Sequence, residues 1–569
     1  MNRWLLLLLT FFVLVLPGSV GLMQAPLPVP TLVPPTPLPP RSEPVIDALL
    51  TESAVARIQR EGIVRVGVLY NEPPFSEMNI RGELTGYEPD IARSLAEAWG
   101  IDLQLVQVTR QNRLEMLREQ QIDLLLASTL HRRELDAEME FSHTYHISRQ
   151  ALMLRADDGA SALVNLANRR IAYVAGTESE AAIQLWAARS GVPVQLVPYL
   201  TLDRAYSRLF AGEIDAIVGR QEHLLRVAAD HPDAVKFLDE AVELEPFAIG
   251  FLRNDSGLRT LVNRSLQYLM QSGRLEELHR QYLPASEFPF DSIPVWANVG
   301  ESAPTPDTIA TAITYPAQYA VARILNERRV RVAGLTDPSV DALPAVRRIY
   351  DIQRALLEQM ASRWQAELVL VSGDPIQLIE SGQADIAVGV SLDWNLVDRV
   401  DFSQPYLLRG DRLMVRRNSG VNTFTDLRGR WVGIMSGDDG AEARALDWAD
   451  SVGVRIRIFT TNERDAADAM LTQNNADVIY GDSLKLIAHL QQRPDDLRLT
   501  ERWYSRSYLA FALPRNDVDM RHLVDYTLQE LAKDSILNTV LAPTIPPGSE
   551  PPRFDIWPGA SDFYGLSLD

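Results

Sequence analysis

The chain has 569 residues, of which 46% are hydrophobic, 55 are Lys or Arg, 75 are Asp or Glu, and none is Cys. The net charge of -20 excludes nonspecific binding to the phosphate backbone of nucleic acids, because that binding needs clustered Lys and Arg. Without cysteine, disulfides, thiolate catalysis, thiolate-bound metals and cysteine-linked lipid anchors are excluded.

The N-terminus, residues 1–21, has the pattern of a secretory signal peptide. Its apolar run, Trp4 to Leu16, is shorter than a membrane span, and the small residues Ser19 and Gly21 favour cleavage after Gly21. We therefore expect an exported protein, in the periplasm or on the extracellular face of the cell membrane. An uncleaved N-terminus that tethers the chain to the membrane is the alternative. Residues 22–45 are rich in proline and predict an extended linker.

An internal repeat sets the domain organisation. Residues 54–69 and 320–335 are identical at 10 of 16 positions without a gap. Two unrelated amphipathic segments would not share so much, so the repeat predicts two copies of one domain. The predicted domains are residues 46–285 and the more divergent residues 315–545, with a linker at 286–314 and a C-terminal tail at 546–569.

Strands and helices alternate within each copy. In the first copy, a helix at 53–60 precedes a strand at 63–69, and a helix from Ile91 ends at Gly100. A buried strand follows at 122–127. This alternation predicts a mostly parallel α/β sheet. A second lobe is expected from Ile171 onwards, with strands at 151–154 and 247–252 and a last helix at 258–271.

The segments that follow the two copies are also similar. Glu287 to Trp296 and Glu550 to Trp557 share an acid, a proline, a phenylalanine, an aspartate and a tryptophan in the same order. We expect each segment to pack on its own domain.

An ordered set of motifs resembles the bacterial extracellular solute-binding proteins of family 3, the amino-acid-type binding subunits of ABC importers. In the first copy the motifs are V-R-V-G-V (64–68), T-G-Y-E-P-D-I-A (85–92), I-D-L-L-L-A (122–127) and F-S-H-T-Y (141–145). In the second they include Q-A-D-I-A-V-G (383–389) and V-D-F-S-Q-P-Y (400–406).

The resemblance implies an α/β fold with tandem bilobed, periplasmic-binding-protein-like (Venus-flytrap) domains, each with two α/β lobes and a two-strand hinge. It implies a small polar solute bound in the cleft without a cofactor or a metal, and a partner ABC transporter permease in the membrane. Open α/β sheets bind ligands beyond the carboxyl ends of their strands, which agrees with this expectation.

The family's site residues are only partly matched in the first copy. Glu72 stands where the family commonly has a stacking aromatic, and Leu135 where it has the arginine that binds the ligand's carboxylate. Arg132 or Arg133 would replace that arginine after a small loop shift. The candidate ligand-binding residues are Tyr70, Glu72, Phe75, Arg113, Ser128, Thr129, Arg132, Arg133, Gly176, Thr177 and Arg220.

The second lobe of the first copy suggests the charge of the ligand. Arg220 replaces the family's ammonium-binding aspartate, and the Gly176-Thr177 turn matches the family's anion-binding turn. Together with the other arginines, these residues favour an anionic solute such as an acidic amino acid. An ordinary helix cap, in which Thr177 and Glu180 form a capping box, is the alternative for the turn.

The second copy presents acids in the corresponding places. Its weaker candidate residues are Asp337, Ser391, Asp393, Asp438 and Asp482, of which Asp482 matches the family's aspartate. They favour a cation or no ligand, and we expect this copy to be a degenerate structural partner.

Other functions stay open at this point. A sensory or scaffold module is the main alternative, and an enzyme resembling periplasmic dehydratases or lytic transglycosylases is a weaker one, with Glu72 or Glu222 as its acid. A zinc site at His143 and His146, with Glu138 and Glu140, would need a further ligand in a recognisable spacing. We therefore expect a binding protein rather than an enzyme.

Overall fold

Two bilobed halves make up the computed structural model. It describes residues 50–568, apart from 287, 289–291, 301, 341, 436–439, 462–466, 547–548 and 550–553. The predicted signal peptide (1–21) and proline-rich linker (22–45) therefore lie outside the described residues. The description of the predicted first domain begins at residue 50.

The first half contains eight helices and twelve strands among the described residues. The helices are α1 (Ala54–Glu61), α2 (Tyr87–Trp99), α3 (Arg113–Arg118), α4 (Glu178–Ser190), α5 (Leu202–Phe210), α6 (Gln221–Val227), α7 (Ser256–Gln271) and α8 (Arg274–Tyr282). The strands are β1 (Ile63–Val68), β2 (Asn71–Glu72), β3 (Ser76–Met78), β4 (Leu84–Thr85), β5 (Asp102–Gln107), β6 (Leu124–Leu125), β7 (Met139–Arg155), β8 (Arg170–Val174), β9 (Gln195–Tyr199), β10 (Ala216–Arg220), β11 (Val235–Phe237) and β12 (Glu243–Leu252).

The second half has the same kind of element order. Its helices are α9 (Ala320–Glu327), α10 (Pro344–Arg363), α11 (Pro375–Glu380), α12 (Ala441–Ser451), α13 (Ala467–Thr472), α14 (Ser483–Leu490), α15 (Val518–Lys533) and α16 (Ile536–Leu541). Its strands are β13 (Arg329–Ala333), β14 (Glu367–Val371), β15 (Ile386–Ala387), β16 (Val400–Phe402), β17 (Leu407–Arg409), β18 (Asp411–Arg416), β19 (Trp431–Met435), β20 (Arg457–Thr461), β21 (Val478–Asp482), β22 (Leu497–Leu499), β23 (Ser507–Leu509), β24 (Ala512–Pro514), β25 (Asp562–Phe563) and β26 (Leu566–Ser567).

Two long strands join the lobes of the first half. The sheet order is β5-β1-β6-β12-β7-β10-β8-β9, so β12 and β7 lie between the strands of lobe 1 (β5, β1, β6) and those of lobe 2 (β10, β8, β9). β1 pairs in parallel with β5 and β6, whereas β7 and β12 pair antiparallel along their length. The predicted bilobed α/β fold with a two-strand hinge is therefore confirmed. Each lobe has its own apolar core on the faces of this sheet.

The two halves repeat the same tertiary hydrogen bonds. Trp99 Nε1 donates to Ser265 Oγ (2.7 Å), and in the second half Trp364 Nε1 donates to Thr527 Oγ1 (2.9 Å). Asn254 N donates to Glu140 in the same way that Asn516 N donates to Asp401 (both 2.9 Å). Such agreement extends beyond the 16-residue sequence repeat.

The segments after the two halves pack on their own halves, as expected, and also contact the other half. Their backbones do bind their own halves, because Trp296 N donates to Gln267 Oε1 (2.9 Å) and Trp557 N donates to Gln529 Oε1 (3.0 Å). Their indole rings, however, contact the other half. Trp296 stacks on Trp394 (centroids 4.1 Å apart) and Trp557 stacks on His131 (3.8 Å).

Charged side chains also cross between the halves. Arg259 on α7 binds Asp401, and Arg521, at the equivalent position of α15, binds Glu140. Arg133 Nη1 lies 2.5 Å from Glu530 Oε1. Among the described residues, no helix combines the length and the apolar character needed to cross a lipid bilayer.

Candidate functional site

Arg220 lies between the two lobes of the first half, in the region where the family resemblance predicts a ligand cleft. It is the last residue of β10 and is only 4% exposed. Its Nη1 lies 2.6 Å from Glu72 Oε1 in lobe 1, and its Nε lies 2.8 Å from Glu245 Oε2 on β12. Burial alone would lower the pKa of Arg220, but the carboxylates of Glu245 and Glu72 outweigh burial and raise it. The guanidinium is therefore a permanent cation with two anionic partners.

Further charged groups connect the two lobes across the cleft. Arg110 Nη2 binds Glu72 Oε2 (2.9 Å), and Arg110 Nε lies 3.7 Å from Glu178 Oε1, at the N-terminus of α4 in lobe 2. The His223 ring lies 3.4 Å from Glu72. Burial lowers the pKa of His223, so this ring is neutral at pH 7 and contributes little charge.

Among the arginines between the lobes, Arg113 has the fewest side-chain partners. It begins α3, and within the described part of the chain its one side-chain hydrogen bond runs from Nη1 to the carbonyl of Ala127 (3.0 Å). Burial lowers its pKa, and the charges of Glu178 and Glu88 partly oppose that effect. Arg113 remains a cation and is available to bind a carboxylate.

A buried carboxyl, Glu88, lies on the lobe 1 side. Its Oε1 accepts hydrogen bonds from Ser128 N and from the Tyr145 hydroxyl (both 2.6 Å), whereas Oε2 and Ser128 Oγ have no partner among the described residues. Burial raises the pKa of Glu88 to about 7. At neutral pH the Glu88 carboxyl is therefore partly protonated, and a neighbouring positive charge would favour its ionised form.

The predicted site residues divide into two groups. Glu72 and Arg220 meet between the two lobes, and Arg113 and Ser128 lie in lobe 1 near Ala127 and Glu88. Tyr70 is 40% exposed, Phe75 is buried against Phe247 and His146, and Thr129 is buried with its hydroxyl near the carbonyl of Ala127.

The two arginines proposed to replace the family's carboxylate ligand have other partners. Arg132 Nη2 binds Glu243 (3.2 Å), and Arg133 binds Glu530 and Gln529 in the second half. Neither of them shares a carboxylate partner with Arg220. Their partners are 111 and 397 residues away in the sequence, which no local pattern reveals.

The predicted capping box at the Gly176-Thr177 turn is wrong. The Thr177 hydroxyl donates to the carbonyl of Val174 (2.7 Å) and accepts no bond from α4, while Glu180 accepts from Gly176 N (3.1 Å). The amide of Gly176 is therefore already bonded, which leaves this turn with fewer free donors for an anion.

In the second half, the described candidate residues have separate partners or are exposed. Asp482 caps α14 through Leu484 N (3.0 Å) and binds Arg409 Nε (2.9 Å). Asp393 accepts from Asn298 Nδ2 (2.5 Å) and Asn395 N (2.7 Å). Ser391 forms an isolated backbone bridge with Leu509, Asp337 is exposed, and Asp438 lies outside the described residues.

The residues of the zinc alternative have separate partners. His146 Nε2 lies 3.0 Å from Glu222, Glu140 binds Arg259, and Glu138 binds Arg118, whereas His143 Nε2 accepts from Gln267 Nε2 (3.2 Å). Within the described residues, no group of three potential ligands surrounds a metal position.

Glu222 also lacks the character of a catalytic acid. Although burial opposes ionisation, hydrogen bonds from His146 and Ser148 lower the pKa of Glu222 to about 2. A general acid at neutral pH needs a raised pKa.

Sequence reasoning missed Glu88, Arg110, Glu178 and Glu245. Glu88 lies within the T-G-Y-E-P-D-I-A motif, which was a usable signal. The other three have no local pattern that distinguishes them from exposed charged residues.

Comparison with known proteins identifies relatives of the first half. Residues 64–285 match the family model "Bacterial extracellular solute-binding proteins, family 3". The L-cystine-binding protein TcyJ of Escherichia coli (strain K12) is 24% identical over 242 residues, which cover 42% of this chain and 90% of that protein. The histidine-binding periplasmic protein of Salmonella typhimurium is 25% identical over 232 residues, 38% of this chain and 86% of that protein.

Solved structures match a similar share of the chain. An ancestral arginine-binding protein bound to arginine is 23% identical, with a TM-score of 0.33, over 39% of this chain and 99% of that one. An ancestral amino acid-binding protein, described as a precursor of cyclohexadienyl dehydratase, is 24% identical, with a TM-score of 0.33, over 40% and 99%.

Proposed function

The first half of the chain, residues 64–285, belongs to the bacterial extracellular solute-binding proteins of family 3, and we propose that its cleft captures a small polar solute for an ABC importer. The names of its relatives specify cystine, histidine and glutamine as ligands, which supports an amino acid or a related compound. Export through residues 1–21 is part of this proposal. Binding, rather than catalysis, is the proposed activity.

The observation that carries the proposal is the mixed charge of the cleft. Arg113 is a half-buried cation with one side-chain hydrogen bond, and Glu88 is a buried carboxyl with an oxygen that has no partner among the described residues. A zwitterion satisfies both, with its carboxylate on Arg113 and its ammonium towards Glu88 or Glu178. The expected preference for an anion is weakened, because Arg132 and Arg133 point to other partners and two carboxylates already neutralise Arg220.

We further propose that the second half is a diverged copy of the same domain that acts as a structural partner. The repeated hydrogen bonds of Trp99 and Trp364, and of Asn254 and Asn516, support a common origin. The pairing of Asp482 with Arg409 uses the acid that the family reserves for the ligand.

Ligand binding to the full chain tests the first proposal. Thermal unfolding is measured with amino acids, dicarboxylates, polyamines and sugars, since a ligand of the folded state stabilises it by about 2.7 kcal/mol at a hundredfold excess over Kd. We expect amino acids to raise the midpoint in the wild type and not in Arg113→Ala. The matched control is Arg226→Ala, which removes an exposed arginine of α6. The absence of any shift across the panel contradicts solute capture.

A sensory or scaffold module is the second candidate function. It is favoured by the Glu72–Arg220 ion pair, which joins the two lobes directly through side chains of the chain itself. Small-angle scattering separates the two candidates: a capture protein becomes more compact when its amino acid is added, whereas a ligand-independent scaffold keeps the same radius of gyration.

A further inference from the structure

A cavity of about 500 Å³ lies between the two halves of the chain. Residues of both halves line it, among them His143 and Asn263 from the first half, Gln404 and Asp525 from the second, and the stacked indoles of Trp296 and Trp394. Its size is typical of small-molecule sites, which span about 300–1,000 Å³. Glu72, Arg113 and Arg220 do not line it, so it is separate from the cleft of the first half.

Equivalent residues of the two halves perform the same structural role in the wall of this cavity. His143 N donates to Asn263 Oδ1 (2.9 Å), and Gln404 N donates to Asp525 Oδ1 (2.7 Å). The next contact is also repeated, because Gln267 donates to the His143 ring (3.2 Å) and Gln529 donates to Gln404 Oε1 (3.0 Å).

The comparison of Asn263 with Asp525 shows that the two positions make the same backbone hydrogen bond and differ in charge. The first half accepts the backbone hydrogen bond with a neutral amide, Asn263, so the fold does not require a carboxylate at this position. Asp525 is nevertheless only 2% exposed, and burying a charge without compensation is costly. The acid therefore calls for an explanation other than backbone support.

The groups around Asp525 leave its charge without a dedicated partner. Its one side-chain hydrogen bond within the described part of the chain comes from the Gln404 amide. The nearby guanidiniums bind other acids, Arg259 with Asp401 and Glu140, and Arg521 with Glu140. Burial raises the pKa of Asp525 to about 7 despite these arginines.

Four arginines also line the cavity, and each of them has a partner other than Asp525. Arg259 and Arg521 bind the acids given above, Arg412 donates to the carbonyl of Thr500, and Arg506 is engaged as well.

Burial and the charges of Arg521 and Arg259 lower the pKa of His143 to about 4, so this ring is neutral at pH 7. Phe402, Tyr508 and Phe554 extend the apolar surface of Trp296 and Trp394. The cavity thus combines a buried carboxyl with aromatic walls, which suits a positively charged nitrogen on an apolar skeleton.

We propose that the cavity between the two halves binds an organic amine, with its protonated nitrogen on the Asp525 carboxylate and its carbon skeleton along the aromatic wall. The site is independent of the proposed cleft ligand, and its occupant bridges the first and second halves.

A series of three matched compounds tests the proposal on the wild-type full chain. Isothermal titration calorimetry at neutral pH compares 2-phenylethylamine, the neutral 2-phenylethanol and the anionic 3-phenylpropanoate. We expect the amine to bind at least about tenfold more tightly than the other two, since a charged hydrogen bond is worth about that factor or more. Equal affinity for the alcohol, or no binding of the amine, overturns the proposal.

Variants then locate the site. Asp525→Asn keeps the acceptor that Asn263 provides in the first half, so it is expected to fold and to weaken amine binding by about tenfold or more. Asp534→Asn is the matched control, because it removes an exposed acid at the end of the same helix, outside the cavity. Arg113→Ala is expected to leave amine affinity unchanged. Unaltered amine binding in Asp525→Asn, or lost amine binding in Arg113→Ala, overturns the assignment of the site. The compound series tests on the wild type alone whether the protein prefers an amine.

Discussion

Arg220 illustrates how a single substitution changes the chemistry of a cleft. The resemblance to family 3 implies an aspartate for the ligand's ammonium group at this position, and here the guanidinium binds Glu72 and Glu245 instead. Each of these carboxylates is at least 95% buried. Removing Arg220 would leave Glu245 buried without a cation among the described residues, whereas removing either carboxylate would leave Arg220 paired with the other one.

Replacing Arg220 should destabilise the protein strongly. In Arg220→Met, Glu72 loses its shortest ion pair and Glu245 loses its only cation among the described residues. We expect the free energy of unfolding to fall by about 3–5 kcal/mol, measured by urea denaturation of the full chain. Arg226→Met, which changes an exposed residue, should stay within about 0.5 kcal/mol of the wild type. A loss below about 1 kcal/mol for Arg220→Met would contradict the arrangement.

Glu88 should make stability depend on pH in a predictable direction. Its pKa is about 7 in the folded chain, against about 4.3 for an ordinary glutamate, so the folded state holds the proton more tightly than the unfolded state. Its contribution is therefore most favourable below about pH 4.3 and declines as the pH rises to about 7. Glu88→Gln retains the acceptor for Ser128 N and cannot ionise.

The difference in unfolding free energy between Glu88→Gln and the wild type is the quantity to measure. This difference cancels the contributions of the other titrating groups. Among them is His143, whose lowered pKa makes stability rise with pH, the opposite of the effect of Glu88. We expect the variant to gain stability relative to the wild type between about pH 4.5 and pH 7. A difference that does not change with pH would mean that Glu88 is not held in its protonated form.

At the scale of elements, two glycines beside α2 have different roles. Gly100 ends the helix with φ 68°, as the sequence predicted, and a Cβ there would meet no atom within 4 Å. Gly86 precedes the helix with φ 130°, and its Cβ would lie 2.4 Å from the carbonyl oxygen of Phe75. That close approach fixes the loop of β2 to β4, which carries Glu72, against the start of α2.

Alanine substitutions should separate these two roles. Gly100→Ala is expected to cost about 1–2 kcal/mol, the penalty of a left-handed conformation for an L-residue. Gly86→Ala meets the backbone of Phe75 as well, which should add about 1–3 kcal/mol, the typical cost of overpacking. Chemical denaturation of both variants measures their free energies of unfolding, and we expect Gly86→Ala to lose more stability than Gly100→Ala. Equal losses would show that the loop can move away from α2.

The sequence was most informative where the apolar pattern is local. The helix predicted at 53–60 is observed at Ala54–Glu61, and the one predicted at 258–271 is observed at Ser256–Gln271. β7 was predicted only at 151–154, although it extends over Met139–Arg155. Its first part carries buried polar residues such as His146 and Gln150, which pair with Glu222 and Glu245.

The parts of the site that the sequence did not predict depend on contacts between residues far apart in the chain. Arg220 and Glu72 are 148 residues apart, and only the closure of the two lobes brings them together. Arg133 was assigned to the cleft from its neighbours in sequence, whereas its partners belong to α15 in the other half. Long-range pairing of this kind leaves no periodicity in the sequence.

At the scale of the whole molecule, the halves interact through equivalent residues. Arg259 and Arg521 occupy the same position on α7 and α15, and each binds the acid that precedes the F-S motif of the other half, Asp401 or Glu140. A repeat that pairs with itself in this reciprocal way resembles a two-fold homodimer joined into one chain. If the second half is a diverged copy, as proposed above, the interface has been kept although Asn263 of the first half corresponds to Asp525 of the second.

The halves should therefore stay together when the connection is cut. A protease site inserted between Ala317 and Gln318, which are exposed, allows cleavage without touching the interface. We expect the two fragments to elute together in size-exclusion chromatography under native conditions, because the interface includes buried ion pairs and stacked indoles of both halves. Separation of the wild-type fragments after cleavage would contradict a dimer-like interface.

Arg133→Glu supplies the disruptive variant for the same experiment. It places a carboxylate beside Glu530, in a site where both side chains are at most 3% exposed. Like charges at that distance repel strongly in a buried environment, and Gln529 Oε1 also loses one of its two donors, while Trp557 N remains. We expect the cleaved variant to separate into two fragments. Arg132→Glu, one residue earlier and paired within the first half to Glu243, should leave the cleaved halves associated, which attributes the separation to the interface rather than to the added charge.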